Sequence, residues 1–252
     1  MKIRVGHLYP DYLNIYADRG NIAVFARRGG ARAGTSSRWR RSRIGDELRT
    51  GEHDLLYVGG GQDREQALIA PDLVGKGPAI EEAVDGGRST ARGLRRLPAP
   101  RARLSRPAGR VAPRRGPLPH DTVAGERRMI GDVLLECELV PGERRTDRGL
   151  REPRRAERAS IRVPSRSAAS SPASETTASR ATRACRVGRA IGTYLPRPAP
   201  PRNPWLADWL LSQALGHATG GEPPALEPLP DRLEASAHAV SAERARRRGG
   251  RF

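Results

Sequence analysis

HDLLYVGGGQDREQA, residues 53–67, holds a short apolar run, a glycine bend and the opening of a helix in one unbroken stretch. Asp54 to Val58 is bounded by turn signals, the pattern of a strand covered on both faces. Gly59, Gly60 and Gly61 follow, and glycines between a strand and a helix leave backbone N–H groups free to face an anion or an oxyanion. The plainer alternative is a turn that only joins the two elements. A helix from Asp63 onward completes a strand-turn-helix unit, and its charges Asp63, Arg64 and Glu65 suit a helix start without needing any chemistry.

Outward from this unit the same grammar repeats, which points to an α/β fold. KIRVGHL, residues 2–8, reads as a first strand, and DRGNIAVFARR, residues 18–28, as the helix after it, with Ile22, Ala23, Phe25 and Ala26 as its apolar positions. GPAIEEAVDGG is a further helix. RRMIGDVLLECELV, residues 127–140, alternates Val133, Leu135, Cys137 and Leu139 on one face, so Cys137 reads as a core residue of a strand rather than a nucleophile. RAIGTYL, residues 189–195, is a late strand. PRNPWLADWLLSQALGHATG is an amphipathic helix with Trp205, Leu206, Trp209, Leu210 and Leu215 inward and a glycine stop. Residues 1–217 are expected to form one domain. Residues 218–252 are expected to be a Pro-rich linker, GEPPALEPLP, and a surface helix with a basic tip.

Three stretches break this grammar. Residues 29–44, 89–120 and 146–184 hold five, nine and nine arginines against zero, zero and four acids, with Trp39 as their one aromatic. Together they carry +19 while the whole chain carries +18, so the remainder is close to neutral. A sequence pI near 11.4 would ordinarily suggest a nucleic-acid or anionic-membrane partner. Nucleic-acid modules interleave basic residues with stacking aromatics or set them on one regular face, and these stretches do neither. RPAGRVAPRRGPLP and SRSAASSPASETTASRATR have instead the composition of segments that bury too little apolar surface to order themselves, so disorder is the expectation for all three. No nucleic-acid partner is expected.

Two cysteines make a disulfide framework implausible, the amino-terminal apolar run is too short for a signal peptide, and no run would span a bilayer. A cytoplasmic protein is the expectation. His7, His53, His120, His217 and His238 lack ligand spacing with the cysteines, so no metal site is expected.

GHLYPDYLNIYADRGN, YVGGGQDREQA, RRMIGD, RAIGTYL and PRNPWLADWLL, in this order and spacing, resemble the glutamine amidotransferase subunit of lipid II isoglutaminyl synthase. That is the GatD type of class I, cobyric-acid-synthase-like amidotransferase. The resemblance covers the neutral blocks and fails across the basic stretches. It implies a flavodoxin-like three-layer sheet and a heterodimer with a Mur-ligase-like subunit that uses ATP, the glutaminase subunit itself having no cofactor. Glutamine would be hydrolysed here, and the ammonia passed to the partner to amidate the α-carboxyl of D-glutamate in lipid II.

Such chemistry needs a thiolate, a histidine to activate it and backbone donors for the tetrahedral oxyanion. In the family the cysteine opens CGGYQLLG and the histidine follows the late strand as TYLHGP. Leu94 stands at the nucleophile position and Pro196 at the base position, and neither can do the work. By the same resemblance, Gly60 or Gly61 supplies an oxyanion N–H and Arg128 holds the substrate carboxylate, where a guanidinium can pair bidentately. An arginine at a strand start is otherwise a solvated surface residue.

The genetic code offers a common origin for the departures. LRRLPAPR, residues 94–101, can be encoded CTG CGG CGG CTA CCA GCT CCT CGG, which from its second nucleotide reads CGGYQLL. GLREPRR, residues 149–155, can hide the family motif FENHA one frame away, and PRPAP, residues 196–200, can hide HGPL. Out-of-frame translation is therefore the reading of the basic stretches. A pseudoenzyme that keeps only partner docking, and a basic nucleic-acid-binding protein, are the alternatives.

Overall fold

A computed structural model describes residues 2–14, 18–32, 34–87, 89–93, 132–140, 143–150, 158–162, 184–187, 189–193 and 199–249. In chain order these give β1 (Lys2–Leu8), α1 (Asp18–Gly30), β2 (Ser36–Ser42), β3 (Leu55–Val58), α2 (Asp63–Gly75), α3 (Gly77–Asp85) and β4 (Ser89–Gly93). Then come β5 (Asp132–Val140), β6 (Glu143–Leu150), β7 (Arg158–Arg162), β8 (Ala184–Val187), β9 (Ala190–Thr193), α4 (Ala199–Arg202), α5 (Pro204–Thr219) and α6 (Arg232–Gly249). The protein is α/β.

The described strands lie in one sheet of order β2-β1-β3-β4-β9-β8-β7-β5-β6. From β2 to β9 every pairing is parallel. Beyond β9 the directions mix, with β9–β8 and β5–β6 antiparallel. All four residues of β3 are buried, as a strand with neighbours on both sides and helices on both faces requires.

Two apolar clusters flank the parallel part. On one side Ile3, Val5, Leu55, Tyr57 and Ile191 meet Phe25 of α1 and Leu206, Leu210 and Leu211 of α5. On the other, Leu8, Leu56 and Val58 meet Ile69 and Leu73 of α2 and Ile80 and Ala83 of α3. The inward face of α5 agrees with its sequence pattern in Leu206, Leu210 and Leu215, while Trp205 and Trp209 are only partly buried. Pro204 opens α5, where the missing N–H costs nothing, and Gly220 closes it at φ 67°, a left-handed stop that glycine adopts without strain.

The expectation of disorder fails within the basic stretches wherever they are described. β2 lies inside residues 29–44 and pairs in parallel with the whole length of β1. β4, the last five residues of β6, β7 and the first residue of β8 are likewise strand. Pairing is a backbone property, and β1 presents a complete ladder that a strand of nearly any composition can complete. Trp39 adds apolar contact, with its ring 6.4 Å from that of Phe25.

Two ionic clusters tie the ends of the chain to this frame. Asp54, fully buried before β3, accepts hydrogen bonds from the Arg4 backbone N–H at 2.8 Å and from Arg4 Nη2 at 2.6 Å, and lies 3.2 Å from His217 Nδ1 near the end of α5. Burial works against its charge, but the Arg4 bonds hold its carboxyl below the ordinary value. Arg28, buried on α1, pairs bidentately with Asp208 of α5 and again with Asp231 just before α6. Truncating Arg28 would remove its guanidinium from both carboxylates and leave Asp208 with Arg32, whose Nη2 lies 3.0 Å from it. Arg28→Ala is expected to lower stability by about 3 kcal/mol, read as a drop in the urea midpoint, whereas an unchanged midpoint would show the cluster to be passive.

Candidate functional site

In a parallel sheet the loops leaving the carboxyl ends of adjacent strands share one edge, and ligands bind there. Here that edge receives the glycine turn from β3, the chain leaving β4 and the chain leaving β9. Val58 is level with Arg92, and Gly93 with Thr193. Leu94, expected from the resemblance at the nucleophile position, follows Gly93 directly, and Pro196, expected at the base position, comes three residues after Thr193. Leu94, Pro196 and Arg128 themselves lie outside the described residues. Cys137 stands on β5, and Cys185 on β8, level with Gly192 of β9.

The glycine turn is held by close packing. A Cβ on Gly59 would come within 2.1 Å of the Leu13 carbonyl oxygen, and one on Gly61 within 2.7 Å of Leu13 Cδ2 and 3.1 Å of the Tyr12 carbonyl oxygen. The loop after β1, carrying Tyr12 and Leu13, therefore rests on the turn at a distance only glycine permits. Gln66, buried in the first turn of α2, donates from Nε2 to the Gly61 carbonyl oxygen.

Beneath the turn lies a polar network that the sequence did not single out. Asp18, at the start of α1 and buried, accepts from Tyr57 Oη at 2.7 Å and from the Gly60 N–H at 3.3 Å. Asn21 Nδ2 donates to Tyr57 Oη at 2.6 Å. Burial first, and then the Asp18 charge, hold the Tyr57 hydroxyl protonated, with its pKa well above the usual value. The sequence signal was slight: Asp18 reads as a helix opener and Tyr57 as one more residue of an apolar strand.

This network revises the choice between the two candidate oxyanion donors. The Gly60 N–H is already directed at a carboxylate, and a developing oxyanion beside Asp18 would be repelled. The Gly61 N–H has no acceptor among the described residues. Gly61 is thus the better placed of the pair.

A second cluster closes the other flank of the edge. Tyr9, at φ 53° directly after β1, donates from Oη to Asp72 Oδ2 at 2.7 Å, and its ring lies under Lys76 Nζ at 5.0 Å. Lys76 pairs with Asp72 and also donates to the Arg43 carbonyl oxygen at 2.9 Å. With each partner satisfied, these groups brace the loop rather than offer a ligand site. His7, also buried, stacks edge-on to Tyr57 with ring centroids 5.4 Å apart. Among the described residues no group of three His, Cys, Asp or Glu could hold a metal ion.

No family model matches the chain. Lipid II isoglutaminyl synthase (glutamine-hydrolyzing) subunit GatD of Streptococcus pneumoniae is 33% identical over 87 residues, which are 33% of this chain and 30% of that protein. The subunit of the same name from Staphylococcus aureus is 25% identical over 147 residues, 54% of this chain and 56% of its own. The chain resembles the GatD-type subunits. The matched region spans 30% and 56% of the GatD relatives' own lengths.

Two measurements probe this edge. Gly59→Ala must drive a methyl into the Leu13 carbonyl, so a loss of about 3 kcal/mol is expected in chemical denaturation, and tolerance of alanine would contradict the packing described. Burial, reinforced by Arg41, lowers the His7 pKa from 6.5 to about 4. The unfolded chain thus takes up a proton near pH 6.5 that the folded chain refuses until about 4. The His7 contribution is complete above pH 6.5 and is lost as pH falls through that window. Replacing His7 by Gln is expected to flatten this slope of stability against pH, and an unaltered slope would remove His7 as its source.

Proposed function

We propose that the chain derives from a glutamine-hydrolysing subunit of the GatD type, folded as a flavodoxin-like class I amidotransferase domain, and that its printed sequence has lost the catalytic pair. The carrying observation is the shared carboxyl edge of β3, β4 and β9, which the glycine turn leaves from β3 and toward which β4 and β9 run just ahead of positions 94 and 196 in the sequence. The parallel order β2-β1-β3-β4-β9 has the form of the doubly wound order in which ligands sit at that edge. In the intact subunit a thiolate at position 94 attacks the glutamine carboxamide, a histidine at position 196 relays the proton, and the Gly61 N–H faces the oxyanion. Arg128 pairs with the substrate carboxylate. The ammonia passes to a Mur-ligase-like partner that uses ATP to amidate the α-carboxyl of D-glutamate in lipid II. Glutaminase chemistry of this kind requires no cofactor in the domain itself.

Translation in the wrong frame accounts for the loss. β4 has parallel neighbours on both sides yet reads STARG, where β3 reads LLYV. Ser89 to Gly93 can be encoded TCC ACT GCT CGC GGT, and from the second nucleotide this runs PLLAV straight into the hidden CGGYQLL. An apolar strand is what that place in the sheet calls for. The in-frame pattern lasts through α3, whose Ile80, Ala83 and Val84 are buried, so the frame breaks between Val84 and Ser89.

Ammonia release from glutamine tests this reading. The printed chain is expected to release none above buffer. A chain re-encoded to carry CGGYQLL after β4 and HGPL after β9 is expected to hydrolyse glutamine with its ligase partner present. An inactive but folded restored chain would overturn the proposal.

A further inference from the structure

α6 is held to the domain along one side. Asp231, just ahead of its first turn, is bound by Arg28, His238 Nδ1 lies 3.5 Å from the Arg202 carbonyl oxygen, and Ala242 is buried. The opposite side carries Leu233, 83% exposed, and Val240, 54% exposed, seven residues apart and so on one line of the helix. In the same helical spacing, positions 244, 247 and 248 continue that line, and all three are arginine. Residues 244–251 contain five arginines and no acid.

An exposed aliphatic pair running into a cluster of arginines is the make-up of a helix that lies in the plane of a bilayer surface, with apolar side chains among the acyl boundary and guanidinium groups at the phosphates. Nucleic acid would use the arginines but has no use for the leucine and valine. The charge calls for an anionic surface, and the aliphatic line calls for one with hydrocarbon beneath it. We propose that α6 docks this protein peripherally on anionic phospholipid, through Leu233, Val240, Arg244, Arg247 and Arg248. This is attachment and not insertion, since no helix among the described residues is long and apolar enough to cross a membrane. It stands independently of the amidotransferase reading.

Co-sedimentation of the full chain with vesicles of phosphatidylcholine and phosphatidylglycerol in equal parts, against vesicles of phosphatidylcholine alone, tests it. The other basic stretches also attract anions, so the differences between variants decide. Replacing Arg244, Arg247 and Arg248 together with Glu is expected to lower partition onto the anionic vesicles on the order of 100-fold. The same replacement at Arg106, Arg110 and Arg114 is expected to lower it by less than a tenth of that factor. Leu233→Asp with Val240→Asp is expected to lower partition about 10-fold at a salt concentration that screens surface charge. An unchanged thermal midpoint in each variant will show that the fold is kept. Equal losses for the two arginine sets, or an aspartate pair that binds like the parent, would overturn the proposal. So would an aspartate pair that dissolves a dimer of the chain while vesicle binding is unaltered, or a short RNA bound better than vesicles.

Discussion

Parallel pairing across β1, β3, β4 and β9 is the constraint on which the rest of the molecule depends. Such pairing aligns the carboxyl ends of neighbouring strands, and whatever follows them in sequence arrives at one edge, however far apart it lies along the chain. Val58, Gly93 and Thr193 are separated by long stretches of sequence but end adjacent strands. The helices on the two faces make the arrangement stable by burying Leu55 and Tyr57 on one side and Leu56 and Val58 on the other. On the proposed reading the arrangement keeps the place of a site whose catalytic cysteine and histidine are absent from this sequence.

The fold was legible where residue pattern and tertiary demand agree. β1, α1, α2, α3, β5, β9, α5 and α6 all stand where apolar period and glycine or proline punctuation placed them. It was not legible in β2 and β4, whose residues argue for no strand at all. Their conformation comes from neighbours: β1 offers one open ladder, and β3 and β9 leave a gap that a strand must fill. Composition could not reveal this, because the hydrogen bonds involved are made by backbone atoms common to every residue.

The site was legible in part. The glycine turn stood out, but which of its amides is free did not, since that depends on Asp18 reaching under the turn from α1. Asp18 and Tyr57 are far apart in the chain and each has an ordinary local explanation, so only their contact exposes the network. The Arg28 cluster escaped notice for the same reason. An arginine near the end of a helix reads as a favourable charge, while its two carboxylate partners come from α5 and the segment before α6.

The strongly basic character has two physical origins in this account. On the proposed reading, in the three stretches it follows from reading GC-rich codons out of register, whereas the arginines of α6 follow two exposed aliphatic residues, Leu233 and Val240, on a regular helix. Net charge alone cannot separate the two; position on a regular element can. The most direct test of the central claim is the nucleotide sequence of the gene from the codon for Val84 to that for Arg101. The account predicts a single-nucleotide insertion or deletion ahead of Ser89, after which the shifted frame runs PLLAVCGGYQLL without interruption. Codons that cannot yield that apolar strand and cysteine in the neighbouring frame would contradict it.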